Sequence, residues 1–258
     1  MGTPEIKRIP QLDGIRGLAI LLVMLFHFFW FPMAAGLPIS ANDSWLRPIL
    51  LSCWVGVDLF FVLSGFLITG ILVDARARPG YFKNFYARRV LRIFPLYYLF
   101  LAAWLALTGY QSLWLWSYTA NIHMAREGWT AVPSAVDHLW SLAIEEQYYL
   151  LWPVVIYFLK PKQALFVCAG LAMLCPLIRF HYFHVNQPLS AYMLTHARLD
   201  SLAWGALLAL AVRVCPPSRR LLGGVALFSR RRCWVWFCLR AGSWRVKTLP
   251  PARLVLAF

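Results

Sequence analysis

Long apolar segments separated by short polar ones dominate the chain, and their length predicts helices that cross a membrane. A helix needs about 20 mainly apolar residues to span the hydrocarbon core. Six segments meet or approach that length, namely residues 17–36, 46–73, 93–109, 139–159, 163–178 and 199–214. A seventh segment, 111–122, is rich in Trp and Tyr but too short to cross, which is typical of an interfacial or re-entrant stretch. The expected fold class is therefore all-α, a polytopic transmembrane helix bundle.

Basic residues between these segments predict the topology. They cluster at Lys7 and Arg8, in the stretch 74–92, at Lys160 and Lys162, and at Arg213, Arg219 and Arg220. Loops rich in Lys and Arg lie on the cytoplasmic side of a membrane. All four clusters share that side if 111–122 does not cross, and the N-terminus is then cytoplasmic. If 111–122 crossed, Lys160 and every later residue would change sides, so the charge pattern favours six spans and a partial one.

The composition agrees with a membrane protein and excludes other classes. Of 258 residues, 61% are hydrophobic and 14% are charged, against about 25% charged in ordinary soluble domains. Soluble, disordered and fibrous chains are excluded. The net charge of +15 would suggest nucleic acid in a soluble protein. Here the basic residues set topology and meet anionic lipid headgroups, so we expect membrane lipid as a partner and no nucleic acid.

The last segment, residues 214–258, departs from this pattern. From residue 215 onward there are nine Lys or Arg and no acid. Three consecutive arginines, residues 230–232, would each cost roughly 2.5–3.5 kcal/mol near a bilayer centre. The segment is either a cytoplasmic basic tail on anionic lipid or the product of a frameshift or fusion junction. The abrupt loss of acids together with Arg and Trp enrichment favours the second interpretation.

Two ionisable residues in the first apolar segment are candidates for catalysis. Arg16 and His27 are eleven residues apart, which is about 1100° of helix and places both on one face, about 16 Å apart along the axis. A histidine within the membrane can take a proton from a hydroxyl as a general base. Structural alternatives exist, because Arg16 can reach the headgroups or pair with Asp13, and His27 can hold a helix–helix hydrogen bond.

Two further clusters carry charged residues at defined spacing. Glu145 and Glu146 open an apolar segment, and Ser141 shares a helical face with Glu145 at i, i+4. The positive end of a helix dipole would explain one glutamate but not two. Arg89 and Arg92 are at i, i+3, a spacing suited to a phosphate group, although any cytoplasmic loop is basic.

Three other charged residues are expected to support these sites. Asp58 is the one acid in the second apolar segment and is a candidate partner within the bundle. Arg198 and Asp200 open the last span, where they can neutralise each other. Ser64 and Gly65 are expected to permit close helix packing, and Ser64 is not in a nucleophile elbow.

These motifs, taken in order, resemble the membrane-bound acyltransferase family 3, the bacterial O-acetyltransferases of surface polysaccharides. Residues 12–17 (LDGIRG) with His27 resemble its Arg-x10-His motif. The stretches 56–68, 85–95 and 140–150 and the Arg-Leu-Asp at 198–200 resemble its later motifs. The resemblance covers about residues 9–213, which predicts a transmembrane acyltransferase domain at 1–213 and an atypical segment at 214–258, so that the domain is truncated at its C-terminus.

The resemblance implies an enzyme of the bacterial inner membrane that moves an acyl group, usually acetyl, from acyl-CoA to a hydroxyl of a carbohydrate or lipid-linked acceptor. Arg16 and His27 would be the catalytic pair, Arg89 and Arg92 the donor-binding pair, and Glu145 and Glu146 the glutamate motif. We expect acyl-CoA as co-substrate, no bound cofactor and no metal. One glutamate would orient His27 or hold the acceptor.

Two other functions compete with this one. A transporter or proton-relay subunit would use His27, Glu145 and Asp58 near the midplane of the membrane, but would show internal repeats, and we find none. A truncated relative without activity would carry the same motifs.

Overall fold

The computed structural model describes residues 10–34 and 46–214, and every regular element in those ranges is helical. Ten α-helices follow in chain order: α1 (Pro10–Ala34), α2 (Leu46–Ser52), α3 (Val55–Ala75), α4 (Tyr81–Thr108), α5 (Leu113–Trp116), α6 (Ala120–Glu127), α7 (Leu139–Phe158), α8 (Pro161–His184), α9 (Pro188–Met193) and α10 (Thr195–Val214). A 3₁₀ turn, Trp129–Ala131, follows α6. The predicted all-α class is confirmed.

Four helical stretches are long and apolar enough to cross a membrane within the described ranges: Gln11–Phe29, Pro48–Ala75, Tyr81–Thr108 and Pro161–His184. The two other predicted spans are the helices α7 and α10, which are not among these four stretches. Both carry charge among their apolar residues, Glu145 and Glu146 in α7 and Arg198, Asp200 and Arg213 in α10. The short helices α5 and α6 occupy the stretch that was predicted not to cross.

The helix α4 begins earlier than the sequence pattern predicted. The stretch 74–92 was expected to be a basic loop, but the chain becomes helical at Tyr81, directly after Gly80 with φ 71°. The helix then continues to Thr108, where Gly109, with φ 69°, donates its N–H to the Leu105 carbonyl and ends it. Arg89 and Arg92 are therefore part of the same rigid helix as the span that follows them.

The described residues form two compact units, residues 10–34 with 46–63, and residues 64–214. In the first unit the N-terminal end of α3 packs closely on α1, because a Cβ atom built on Gly56 would lie 2.7 Å from the Ala19 carbonyl oxygen. Many large apolar side chains of α1 are exposed, as expected for a lipid-facing helix: Ile15, Leu18, Ile20, Leu21, Met24 and Phe28.

The second unit is a bundle in which small residues let helices approach closely. Cys168, Ala172 and Cys175 form a buried stripe on α8. On α3, a Cβ atom built on Gly65 would overlap the Leu202 carbonyl oxygen of α10. Such stripes of small residues are the usual contact between helices in membranes.

Candidate active site

The catalytic pair predicted from the sequence lies in the first unit, on α1. This helix is continuous across Arg16 and His27, as their shared face requires, and both side chains are half-buried. The Nδ1 atom of His27 lies 2.8 Å from the Val23 carbonyl oxygen. A carbonyl can only accept, so Nδ1 carries the proton and the basic lone pair of the neutral ring is on Nε2. Asp13, exposed in the first turn of α1, and Asp58, half-buried in the first turn of α3, belong to the same unit.

In the second unit, three consecutive polar residues of α7 point in three directions, because successive helical residues are about 100° apart. Glu145 is the most buried of them, with 4% of its surface exposed. The side chains of Ser64 on α3 and Tyr149 on α7 lie near its carboxyl group. Its Oε1 atom is buried and has no hydrogen-bond partner among the residues that the structure describes. This carboxyl oxygen can therefore accept a further hydrogen bond.

Glu146 faces a group of tyrosines, Tyr97, Tyr98 and Tyr118, which interact with its charge. Tyr97 and Tyr118 stack with ring centroids 4.2 Å apart. In the described part of the chain, the Oε1 atom of Glu146 and the phenol oxygen of Tyr118 are both buried without a hydrogen-bond partner. Burial, with Glu146 as a second cause, raises the pKa of Tyr118. Its phenol therefore stays protonated and remains a donor.

The backbone of Tyr118 is also unusual, because its φ of 54° lies in the left-handed region. Bulky residues seldom adopt that conformation, and it persists where neighbouring groups hold it. Here the Gln147 amide donates to the Tyr118 carbonyl at 2.8 Å. Gln147 thus holds Tyr118, the tyrosine that lies beside Glu146, in place.

The predicted donor-binding pair is divided between two environments. The Arg89 guanidinium lies 4.8 Å from the centre of the Tyr149 ring and interacts with the charges of Glu145 and Glu146. Arg92 is exposed and remains close enough to Arg89 to repel it. Arg89 therefore faces the acidic pair of α7, whereas Arg92 is open to its surroundings.

The structure corrects the expected neutralisation of Asp200 by Arg198. Both carboxylate oxygens of Asp200 accept from Arg179 on α8, at 2.8 and 2.6 Å. Residues two apart on a helix lie about 200° apart and do not face each other. The Arg198 guanidinium instead lies 5.2 Å from the Tyr192 ring centre. The Ser141 hydroxyl donates to the His138 carbonyl at 3.1 Å, and its supporting role beside Glu145 stays a prediction.

A buried polar network that the sequence analysis did not assign to a site lies beside the acidic pair. Asn121 of α6 has none of its surface exposed. It donates to the Thr195 hydroxyl at 3.0 Å and accepts from Gln147 at 3.0 Å. Thr195 in turn donates to the Gln147 side-chain oxygen. Single polar residues near helix starts give no sequence signal of such a network, although Gln147 directly follows the two glutamates.

This network borders a cavity of about 500 Å³ in the second unit. The cavity lies at the end of the bundle where α8 stops and α10 starts. Its walls come from five helices, α6 to α10, and from the two connections on either side of α9. They are formed by Ile122, Ala125, Arg126, Gln147, Tyr182, Gln187, Ser190, Leu194, Thr195 and His196.

Apolar helices of spanning length define an integral membrane protein. Ionisable side chains inside such helices mark a functional site. A family model described as an acyltransferase domain matches residues 9–239 of this chain. The chain therefore belongs to this acyltransferase family, as its motifs predicted.

Two curated relatives are similar over most of this chain. The peptidoglycan O-acetyltransferase OatA of Listeria monocytogenes is 31% identical over 230 residues, which cover 79% of this chain and 34% of that protein. The O-acetyltransferase OatA of Staphylococcus aureus is 30% identical over 246 residues, which cover 81% of this chain and 37% of that protein. The chain thus spans about a third of the length of these relatives. No solved structure matches it.

The family match continues beyond residue 213, into the segment that was predicted to be atypical. Residues 215–258 lie outside the described part of the chain. The predicted division at residues 213 and 214 therefore stays a prediction.

Proposed function

We propose that this chain transfers an acyl group, specifically acetyl, from acyl-CoA to a hydroxyl group of a cell-envelope carbohydrate. Family membership supports acyl transfer, and the names of the relatives point to peptidoglycan as the first acceptor to test. In the predicted topology, the N-terminus is cytoplasmic and the protein lies in the bacterial inner membrane. The donor would then reach the protein from the cytoplasm and the acceptor from outside.

The observation that carries this proposal is the hydrogen bond from His27 Nδ1 to the Val23 carbonyl. It orients the ring within its own helix, and Nε2 is then the nitrogen that carries the basic lone pair. In the reaction we propose, Nε2 takes the proton of the acceptor hydroxyl while the hydroxyl oxygen attacks the thioester carbonyl carbon. A carbon–oxygen bond forms, the carbon–sulfur bond breaks, and the proton passes from His27 to the coenzyme A thiolate.

We propose that Arg16 stabilises the negative charge that develops on the carbonyl oxygen, or binds a phosphate of the donor, because it shares the helical face of His27. A fixed cation is most effective where water is excluded. Arg92 is exposed at the basic end of α4 and is suited to the phosphates of coenzyme A. Glu145 and Glu146 each have a buried oxygen that lacks a hydrogen-bond partner within residues 10–34 and 46–214. They are suited to accept hydrogen bonds from the hydroxyl groups of a substrate.

The test is the variant His27→Ala in reconstituted vesicles that contain the full chain, acetyl-CoA and a peptidoglycan acceptor. We expect transfer of labelled acetyl to fall by about 100-fold or more, the usual contribution of a general base. The matched control is His184→Ala, because His184 is exposed at the end of α8 and has no role in the proposed reaction. Unchanged transfer in His27→Ala would overturn the assignment. Solute movement across these vesicles without acetyl-CoA would favour a transporter instead.

A further inference from the structure

The cavity in the second unit differs chemically from the rest of the bundle interior. Its volume of about 500 Å³ falls within the usual range of small-molecule sites, about 300–1,000 Å³. Its lining includes one arginine, two amides, three hydroxyl groups and a histidine, and no acidic residue. A neutral to positive polar cavity suits a ligand that has hydroxyl groups and a negative charge.

The inner wall of the cavity is arranged to accept hydrogen bonds. Both amide hydrogens of Gln147 are used, on the Tyr118 carbonyl and the Asn121 side chain. Its oxygen accepts one bond from Thr195 and keeps a second lone pair. The Thr195 hydroxyl donates to Gln147 and accepts from Asn121, which leaves it one lone pair. Hydroxyl groups of a ligand are the donors that such a wall would take.

The network also fixes this wall before any ligand arrives. Asn121, which is fully buried, donates to the Met193 carbonyl at 3.1 Å as well as to Thr195. The side chains of Gln147 and Thr195 are therefore held from behind by a residue that does not line the cavity. Preorganised polar groups of this kind bind ligands with a smaller loss of entropy.

The open side of the cavity supplies donors and charge. Arg126 of α6 is exposed there, and the Tyr182 phenol and His196 Nε2 are hydrogen-bonded to each other at 3.0 Å. A guanidinium group is the side chain best suited to pair with a carboxylate or phosphate in two-pronged geometry. The anionic part of a ligand would therefore lie at this side, and its hydroxyl groups toward Gln147 and Thr195.

The position of the cavity agrees with an acceptor that comes from outside the cell. It lies where α8 ends and α10 begins, at the opposite end of α8 from Lys162, which the predicted topology places in the cytoplasm. Gln147 lies eight residues into α7, about 12 Å along its axis, and directly follows Glu146. A ligand in this cavity would therefore reach toward the acidic pair.

We propose that this cavity binds the acceptor of the reaction, and that it selects a sugar unit carrying a negative charge. Arg126 would recognise the charge, and Gln147 and Thr195 the hydroxyl groups. This inference rests on the proposed function, because only that function makes the bound sugar an acceptor. Binding of the sugar can be measured without acyl transfer.

The test is binding of two disaccharides to the full chain in lipid nanodiscs, without acyl-CoA, measured by isothermal titration calorimetry. One is N-acetylglucosamine linked to N-acetylmuramic acid, which carries a carboxylate. The other is chitobiose, which lacks it. We expect the acidic disaccharide to bind about tenfold tighter. Arg126→Gln should remove that difference and leave chitobiose binding unchanged.

Thr195→Val should weaken both disaccharides severalfold, and Thr195→Ser, which keeps the hydroxyl, should restore them. The matched controls are Arg78→Gln and Thr108→Val, since Arg78 and Thr108 are exposed and do not line the cavity. Thermal unfolding of every variant checks that the fold is intact. Equal binding of the two sugars, no binding of either, or unchanged binding in Arg126→Gln and Thr195→Val would overturn the inference.

The same variants separate this inference from the proposed function. If the disaccharide binds as described but no acetyl is transferred from acetyl-CoA, the cavity is a sugar site and the proposed reaction is wrong. If acetyl is transferred and the acceptor KM is the same in Arg126→Gln and Thr195→Val as in the parent chain, the reaction stands and the acceptor binds elsewhere.

Discussion

Arg89 and Arg92 show how one residue spacing leads to two different environments. Both are on α4, one turn apart, but only Arg89 contacts the Tyr149 ring and the charges of the acidic pair. Removing it would leave Glu145 and Glu146 without this nearby positive charge. Arg92 is exposed, so its loss changes no buried contact. Substitutions of the two arginines are therefore expected to have different effects on stability and on donor binding.

We expect Arg89→Gln to lower the free energy of unfolding by roughly 1–3 kcal/mol, the cost of leaving buried polar groups without a partner. Arg92→Gln should leave unfolding unchanged and raise the KM for acyl-CoA severalfold with little change in kcat. Thermal unfolding in detergent and steady-state transfer kinetics measure these effects. Arg88→Gln is the control, because Arg88 is exposed on the same helix. Equal effects of Arg89→Gln and Arg92→Gln on the KM would show that both bind the donor.

At the scale of helices, the contact between α3 and α10 depends on a single missing side chain. Any Cβ atom on Gly65 would overlap the Leu202 backbone, and backbone atoms cannot move aside as a flexible side chain can. Gly170 on α8 has no atom of the described residues within 4 Å of where its Cβ would lie. Two helical glycines therefore have opposite tolerance for alanine.

Gly65→Ala is expected to destabilise the protein by about 1–3 kcal/mol, as overpacked cores do, and to reduce the yield of folded protein. Gly170→Ala should have no effect or stabilise slightly, because alanine favours the helix more than glycine. Unfolding temperatures of the two purified variants compare them directly. If both behave alike, close packing of α3 on α10 is wrong.

At the scale of the whole molecule, a hydrophobic pattern predicts helices well because each span needs a long apolar run. The helices α1, α4, α7, α8 and α10 each overlap a predicted segment, and all of them except α7 begin before it. Helix starts were less predictable. α4 extends back through a basic stretch to Tyr81 because charged residues are also compatible with a helix.

The candidate site was predictable only where charge appears in an apolar context. Glu145, Glu146 and His27 were found for that reason. The pairing of Asp200 with Arg179 and the network of Asn121 with Thr195 join residues far apart in the chain. Sequence spacing along one helix carries no information about such contacts.

The predicted topology can be tested by labelling single introduced cysteines in intact cells. Gln187→Cys, between α8 and α9, should react with a membrane-impermeant maleimide. Lys162→Cys, at the start of α8, should react only after the membrane is permeabilised, because the positive-inside rule places it in the cytoplasm. Both positions are exposed, and the parent chain is the control for its own cysteines. The reverse labelling pattern would show that the predicted orientation is wrong and that the cavity faces the cytoplasm.

The three consecutive polar residues of α7 have a mechanical consequence. Glu145 contacts α3, Glu146 faces the tyrosines of α4 and its neighbours, and Gln147 reaches α6 and α10. A helix turns as a rigid rod, so any rotation of α7 about its axis displaces all three side chains together. A rotation that moved Gln147 at the cavity wall would therefore also move both acids, so α7 links the cavity to the buried charges.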